Sequence, residues 1–194
     1  YLDVRETPGK RSGAYNLGVY GVHPYILLNH QDNLDSLFTL VHECGHGVHS
    51  KLSSLHQPQI TARYSIFVAE VASTVNEVLL INYLLDKEEN PDIRKDLVNH
   101  FIDQFKGTFF TQVMFAEFEM KTHEMAEKGM PLNVEVFNTT YEGLFREYYG
   151  DDVVFDEEVK YGWSRIPHFY RPFYVYKYAT GFASAIHLAT KILE

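Results

Sequence analysis

His42, Glu43 and His46 stand in the string Val41-His42-Glu43-Cys44-Gly45-His46-Gly47-Val48-His49. On a helix, positions i and i+4 lie one turn apart on one face, so the two imidazoles would project side by side. That spacing suits two ligands of a tetrahedral zinc ion, and the adjacent glutamate can act as base for a water that the metal holds. The chain has 10 His, and chance placement would produce such a string only roughly 0.04 times. A plainer reading is a solvated His-Glu-His face on an amphipathic helix. The context speaks against it: a capped helix follows a strand directly and has an apolar opposite face.

A catalytic zinc needs a third protein ligand and an open fourth position. A third His further along the same string, as in metzincins, is excluded, because the required Gly and His positions hold His49 and Leu52. The next segment offers Glu70 and Glu77, with Ser73 between them, as a polar stripe on a run that is otherwise apolar (Val68, Val71, Ala72, Val75, Leu79, Leu80). Buried carboxylates are costly unless paired or bound to metal. The two lie about 10 Å apart along a helix axis, so one would reach the ion while the other orients a His. Salt bridges from both to Lys or Arg are the alternative. His49 is read as a polar-face residue, because three His on one helix would leave Glu70 without a role.

The elements that must position these groups follow from periodicity. Residues 1–31 are rich in turns, and Tyr25-Ile26-Leu27-Leu28-Asn29 reads as a strand. Asp32 or Asn33 can cap a helix with the apolar stripe Leu34, Leu37, Phe38, Val41, Cys44, Val48 and Leu52. Further helices are expected over 66–85, from Asn90-Pro91 to about Met125 with Gly129 and Pro131 closing it, and from Asn133 to Gly150. Pro172 is well placed to start a last helix through Phe182 and Ile186. The expectation is a mainly α fold, a zincin-like helical catalytic domain with a small β-hairpin or sheet near the N-terminus. It would form one domain over 1–194, with 1–31 the β element and 32–194 helical.

The strand lies just before the zinc helix, separated by His30 and Gln31. A hairpin near 13–29 is therefore expected to end in an exposed edge along the cleft, with Tyr25 touching substrate and Gly18 and Gly21 allowing close approach. A central, fully paired strand is the competing arrangement.

Composition narrows the partners. Lys+Arg number 17 against 26 Asp+Glu, a formal net charge of -9 and a pI near 5.5. An acidic chain lacks the basic face that nucleic acid or an anionic membrane surface requires. The mean hydropathy is -0.23, and no apolar run near ~20 residues is evident, so no membrane span is expected. One cysteine, Cys44, fits a reducing compartment, here the cytoplasm. The chain starts Tyr1-Leu2-Asp3 without a signal peptide and stops inside a helical pattern, as expected of a piece of a longer protein.

His42-Glu43-Cys44-Gly45-His46 followed by Phe67-Val68-Ala69-Glu70-Val71-Ala72-Ser73 resembles the thimet oligopeptidase and oligoendopeptidase F family of zinc metallopeptidases. The likeness continues in Gly9-Lys10-Arg11-Ser12-Gly13-Ala14-Tyr15, His23-Pro24-Tyr25, Ile166-Pro167-His168-Phe169-Tyr170 and Pro172-Phe173-Tyr174-Val175-Tyr176-Lys177-Tyr178. These strings look most like the oligoendopeptidase F branch. Ala72 stands where many relatives of thimet oligopeptidase have Pro.

The resemblance implies one zinc ion held by His42, His46 and Glu70, with Glu43 as general base; by the spacing argument above, that leaves Glu77 to orient a histidine. It implies oligopeptide substrates and a further N-terminal region of the same chain that walls the channel. It also implies that His168 and a tyrosine stabilise the tetrahedral intermediate. Tyr174 and Tyr178 would share a helix face while Tyr176 faces elsewhere. Tyr178 is taken as the donor and Tyr174 as a substrate contact. A di-iron helical bundle would need a second Glu-x-x-His pair beside Glu43 and His46. A catalytically silent, zinc-stabilised interaction domain is the remaining alternative.

Overall fold

Asn33 starts the helix that carries the His-Glu-x-x-His string: its side chain accepts the Ser36 N–H at 2.9 Å, which satisfies one of the orphan donors of the first turn. In the computed structural model, which describes residues 1–194, this helix, α1, spans Leu34–His56. The strands β1 (Leu2–Asp3), β2 (Tyr15–Leu17) and β3 (Tyr25–Leu27) precede it. After it come α2 (Ile66–Lys87), α3 (Pro91–Phe105), α4 (Thr111–Glu127), α5 (Val134–Tyr149) and α6 (Tyr176–Leu193). The fold is mainly α with a small N-terminal sheet, as expected.

The chain divides into two compact units, one of residues 1–102 with 181–194 and one of residues 103–180. In the first, the sheet order is β1-β3-β2. β3 pairs in parallel with β1, Leu2 opposite Ile26, and antiparallel with β2, Leu17 opposite Tyr25. Both edges of β3 are therefore occupied, which corrects the expectation of an exposed edge there; β1 and β2 are the edge strands instead. The reason lies in residues 1–10, which fold back along β3. The Lys10 side chain, 7% exposed, donates to the carbonyls of Asp3, Arg5 and Leu28 and clamps that segment in place. The Asp3 carboxylate, at 3.0 Å, adds an ion pair to these bonds, so the ammonium's three donors are shared among several acceptors.

α1 buries Phe38, Glu43, Gly45 and Gly47. The expected apolar stripe holds only in its first half, where Phe38 packs with Ile81 and Leu97; Val48 and Leu52 are 56% and 50% exposed. The face of α1 that meets α2 and the sheet is the one with small and chemical residues. α2 itself is long and apolar enough to cross a membrane, a run that the composition did not reveal. Here it packs along α1, with Ser73, Thr74 and Glu77 buried.

The second unit is built on an aromatic core. Met114, Phe118, Tyr141, Leu144 and Ile166 are buried together, and Trp163 donates its indole N–H to Asn138 at 2.9 Å. Asn133 caps α5 through the Val136 N–H, and Gly129 (φ 73°) closes α4. The single helix expected over 91–125 is interrupted by a π-helical turn at Lys106–Phe110. There the Lys106 carbonyl accepts both the N–H and the hydroxyl of Thr111, so one extra residue enters the ladder. α6 begins at Tyr176 rather than at Pro172, because Phe173 has φ 58° and cannot belong to a right-handed helix.

Candidate metal centre

α1 projects His42 and His46 one turn apart, their rings 4.7 Å between centroids and nearly perpendicular. α2 lies close enough to bring Glu70 to both. Its Oε2 is 3.5 Å from His42 Nε2 and 4.0 Å from His46 Nε2. One atom from each of the three residues lies within 4.8 Å of the others. A tetrahedral ion with bonds of about 2.0–2.1 Å needs donor atoms about 3.4 Å apart, so this triangle is nearly of the right size. Glu70 has only His42, His46 and the Ser73 hydroxyl as polar partners, not a Lys or Arg.

The other glutamate of the stripe does something different. Glu77 Oε1 accepts a short hydrogen bond from His42 Nδ1. Donation from Nδ1 leaves the Nε2 lone pair directed at Glu70, which is how a carboxylate behind an imidazole prepares a metal ligand. Glu43 is 6% exposed, and its Oε2 is buried without a hydrogen-bond partner. Such an atom is costly unless a water or ion meets it.

The electrostatics suit a cation. His46 is pulled down to about 4 by burial and by the neighbouring His42 and His49, so it is neutral at pH 7 with a free lone pair. Burial opposes the charge on His42, but the Glu77 hydrogen bond and three carboxylates outweigh it, and its pKa lies above the usual value. Burial raises the Glu43 carboxyl, with Glu70 and Glu77 adding to it against the pull of His42. Glu70 is raised by burial as well. Three carboxylates crowded on two imidazoles leave excess negative charge in a desolvated place, which a dication would neutralise. The donor set of two imidazoles and one carboxylate is that of a zinc site with an open position. Burial pushes the Cys44 thiol up, away from the thiolate a metal would need.

His46 and Glu70 line a cleft of about 760 Å³, whose wall also includes Asn16, Gly18, Tyr20 and Tyr64. β2 lines it, not β3. Gly18 is close to α1: a Cβ there would lie 2.9 Å from Ser50, so its missing side chain admits the helix. Tyr25 is not part of this wall. Pro24 and Ile26 face Gly47 of α1, so Tyr25 between them points to the opposite side, where it packs on His23. His49 stacks on Tyr64 at 3.8 Å, outside the triangle. Tyr20, Tyr64 and Asn16 carried no signal in spacing or motif.

His168 and the tyrosines lie in the second unit. The Tyr178 hydroxyl is 3.4 Å from His168 Nε2, and the Tyr174 ring stacks on His168 at 5.5 Å and meets Tyr178 edge-on at 5.6 Å. Tyr176 is 44% exposed and has no ring contact with His168. Preceding them, Phe173 adopts a left-handed conformation that costs a non-glycine residue about 1–2 kcal/mol.

The chain is similar to known proteins over its whole length. The model of Peptidase family M3 matches residues 1–194. The chain is 51% identical to oligopeptidase PepF of Bacillus subtilis over 194 residues, all of this chain and 29% of that protein. It is 48% identical to the plasmid-encoded oligoendopeptidase F of Lactococcus lactis subsp. cremoris, again over its whole length and 32% of the relative. A crystal structure of oligoendopeptidase-F from Enterococcus faecium superposes with a TM-score of 0.71 at 49% identity, covering 82% of this chain and 29% of that one. A crystal structure from Chlamydophila abortus gives a TM-score of 0.87 at 44% identity over 99% of this chain and 32% of that one. The chain thus spans about a third of the length of the relatives it matches.

Proposed function

This chain belongs to peptidase family M3, and on that premise we propose that it forms the catalytic domain of a zinc-dependent endopeptidase that hydrolyses oligopeptides. The observation that carries the reading is the convergence of His42 Nε2, His46 Nε2 and Glu70 Oε2 beside the unpartnered Glu43 Oε2. His42, His46 and Glu70 hold one zinc ion, and Glu77 orients His42. When bound, zinc polarises the scissile carbonyl and lowers the pKa of water toward ~7. Glu43, whose carboxyl burial raises above its ordinary value, takes a proton from the attacking water and gives it to the leaving amine. His168 and Tyr178 donate hydrogen bonds to the developing oxyanion, a contribution of ~2.7–4 kcal/mol per donor in comparable sites.

The oligopeptide substrate is supported by the relatives, which are oligopeptidases by name. Their greater length supports a further N-terminal region of the same protein as a partner of this domain. β2, as an edge of the sheet, supports binding of the peptide as an added strand along the cleft. A cytoplasmic setting fits the single cysteine. Metal analysis with peptide cleavage tests the whole. One zinc per chain and chelator-sensitive hydrolysis by the full-length protein support the enzyme; zinc without hydrolysis supports a silent, zinc-stabilised module.

A further inference from the structure

Glu119 on α4 is 5% exposed, and the chemistry above gives it no part. A buried carboxylate is costly unless its oxygens are met by donors. Its Oε1 accepts the backbone N–H of Phe173 at 2.6 Å, a short bond of the charge-assisted type. Phe173 is the one non-glycine residue with positive φ, 58°. Its own ring is 56% exposed and meets the His123 ring at 5.0 Å, so packing of that ring is a weaker reason for the backbone to stay there than the carboxylate. The corner it makes comes immediately before Tyr174 and five residues before Tyr178, and it delays α6 to Tyr176. The direction in which the chain leaves Phe173 therefore decides whether Tyr174 stacks on His168 and whether the Tyr178 hydroxyl comes to His168 Nε2.

We propose that Glu119 is a positioning residue: by holding the Phe173 N–H it fixes the left-handed corner that sets Tyr174 and Tyr178 against His168. The proposal rests on the reading that His168 and Tyr178 serve the reaction. Glu119 touches no reacting atom; it acts through the backbone.

The test uses the full-length, zinc-loaded protein and five variants. Glu119→Ala should lower kcat by about 10²-fold, the scale of a small misplacement of a catalytic group, with zinc content and KM within about twofold. Phe173→Pro, which removes the N–H and forbids positive φ at an exposed side chain, should lose kcat to the same extent without opening the core. Glu119→Gln keeps an acceptor oxygen and should retain most of the rate. Glu119→Ala combined with Phe173→Gly should recover much of it, because glycine enters the left-handed region without help. The His168 ring resonance should shift in Glu119→Ala and return in the double variant, a readout independent of turnover. A wild-type kcat in Glu119→Ala or Phe173→Pro, or a loss in Glu119→Ala that Phe173→Gly does not relieve, would overturn the proposal. A wild-type kcat in His168→Ala would instead remove the reading beneath it.

Discussion

Gly45 of α1 and Ser73 of α2 meet so closely that a Cβ on Gly45 would stand 2.7 Å from the Ser73 Cα and 2.9 Å from the Ala72 carbonyl oxygen. Both neighbours are backbone and cannot move aside separately. The glycine inside the His-Glu-x-x-His string is therefore what lets the helix bearing Glu70 approach the helix bearing both histidines. Gly45→Ala should force α2 outward, an overpacking cost of about 1–3 kcal/mol, and carry Glu70 away from the imidazoles. Thermal unfolding and zinc titration should both register the change, zinc affinity falling by about tenfold or more. Wild-type zinc affinity in a folded Gly45→Ala protein would mean that the helix spacing does not set the site.

Glu43→Gln separates base from ligand. The amide cannot take a proton, but Glu43 is outside the triangle of donor atoms, so zinc content should stay at the wild-type value. Turnover by the full-length protein should drop by about 10²-fold or more. Retained cleavage would remove the role assigned to Glu43.

Glu70 and Glu77 should fail differently. Glu70→Ala removes a donor atom and should abolish stoichiometric zinc binding. Glu77→Ala removes the acceptor behind His42 and should weaken zinc by about 10–100-fold. Isothermal titration with zinc distinguishes them, and the reverse order of effects would exchange the two assignments.

Alkaline pH should destabilise the second unit. Burial holds the Tyr141 phenol up at about 12 against the ordinary 10.0, so between these values the unfolded chain has released a proton that the folded chain keeps. The unfolded state then binds fewer protons and stability falls as pH rises, by up to about 2.7 kcal/mol for a two-unit shift. Tyr148, which donates to Glu117 and also lies at about 12, acts in the same direction. Tyr141→Phe should flatten part of the slope of stability against pH from 10 to 12 in denaturant titrations; an unchanged slope would exclude Tyr141 as its source.

The sequence by itself determined what local geometry decides. Spacing i, i+4 on a capped helix places His42 and His46 together whatever surrounds them, and the i, i+7 separation of Glu70 and Glu77 already required different positions for them. Asn33 and Asn133 mark helix starts because the cap bond closes within three residues. Tertiary structure alone decided the rest, since the determining partners are remote in the chain. β3 became the central strand because residues 1–10 return to its second edge under Lys10, and Tyr25 accordingly turned away from the cleft. Val48 and Leu52 stayed exposed because α1 presents its glycine and histidine face to α2. The last helix waited until Tyr176 because a carboxylate at Glu119, 54 residues away, captures the Phe173 N–H, and no local periodicity encodes a bond across that distance.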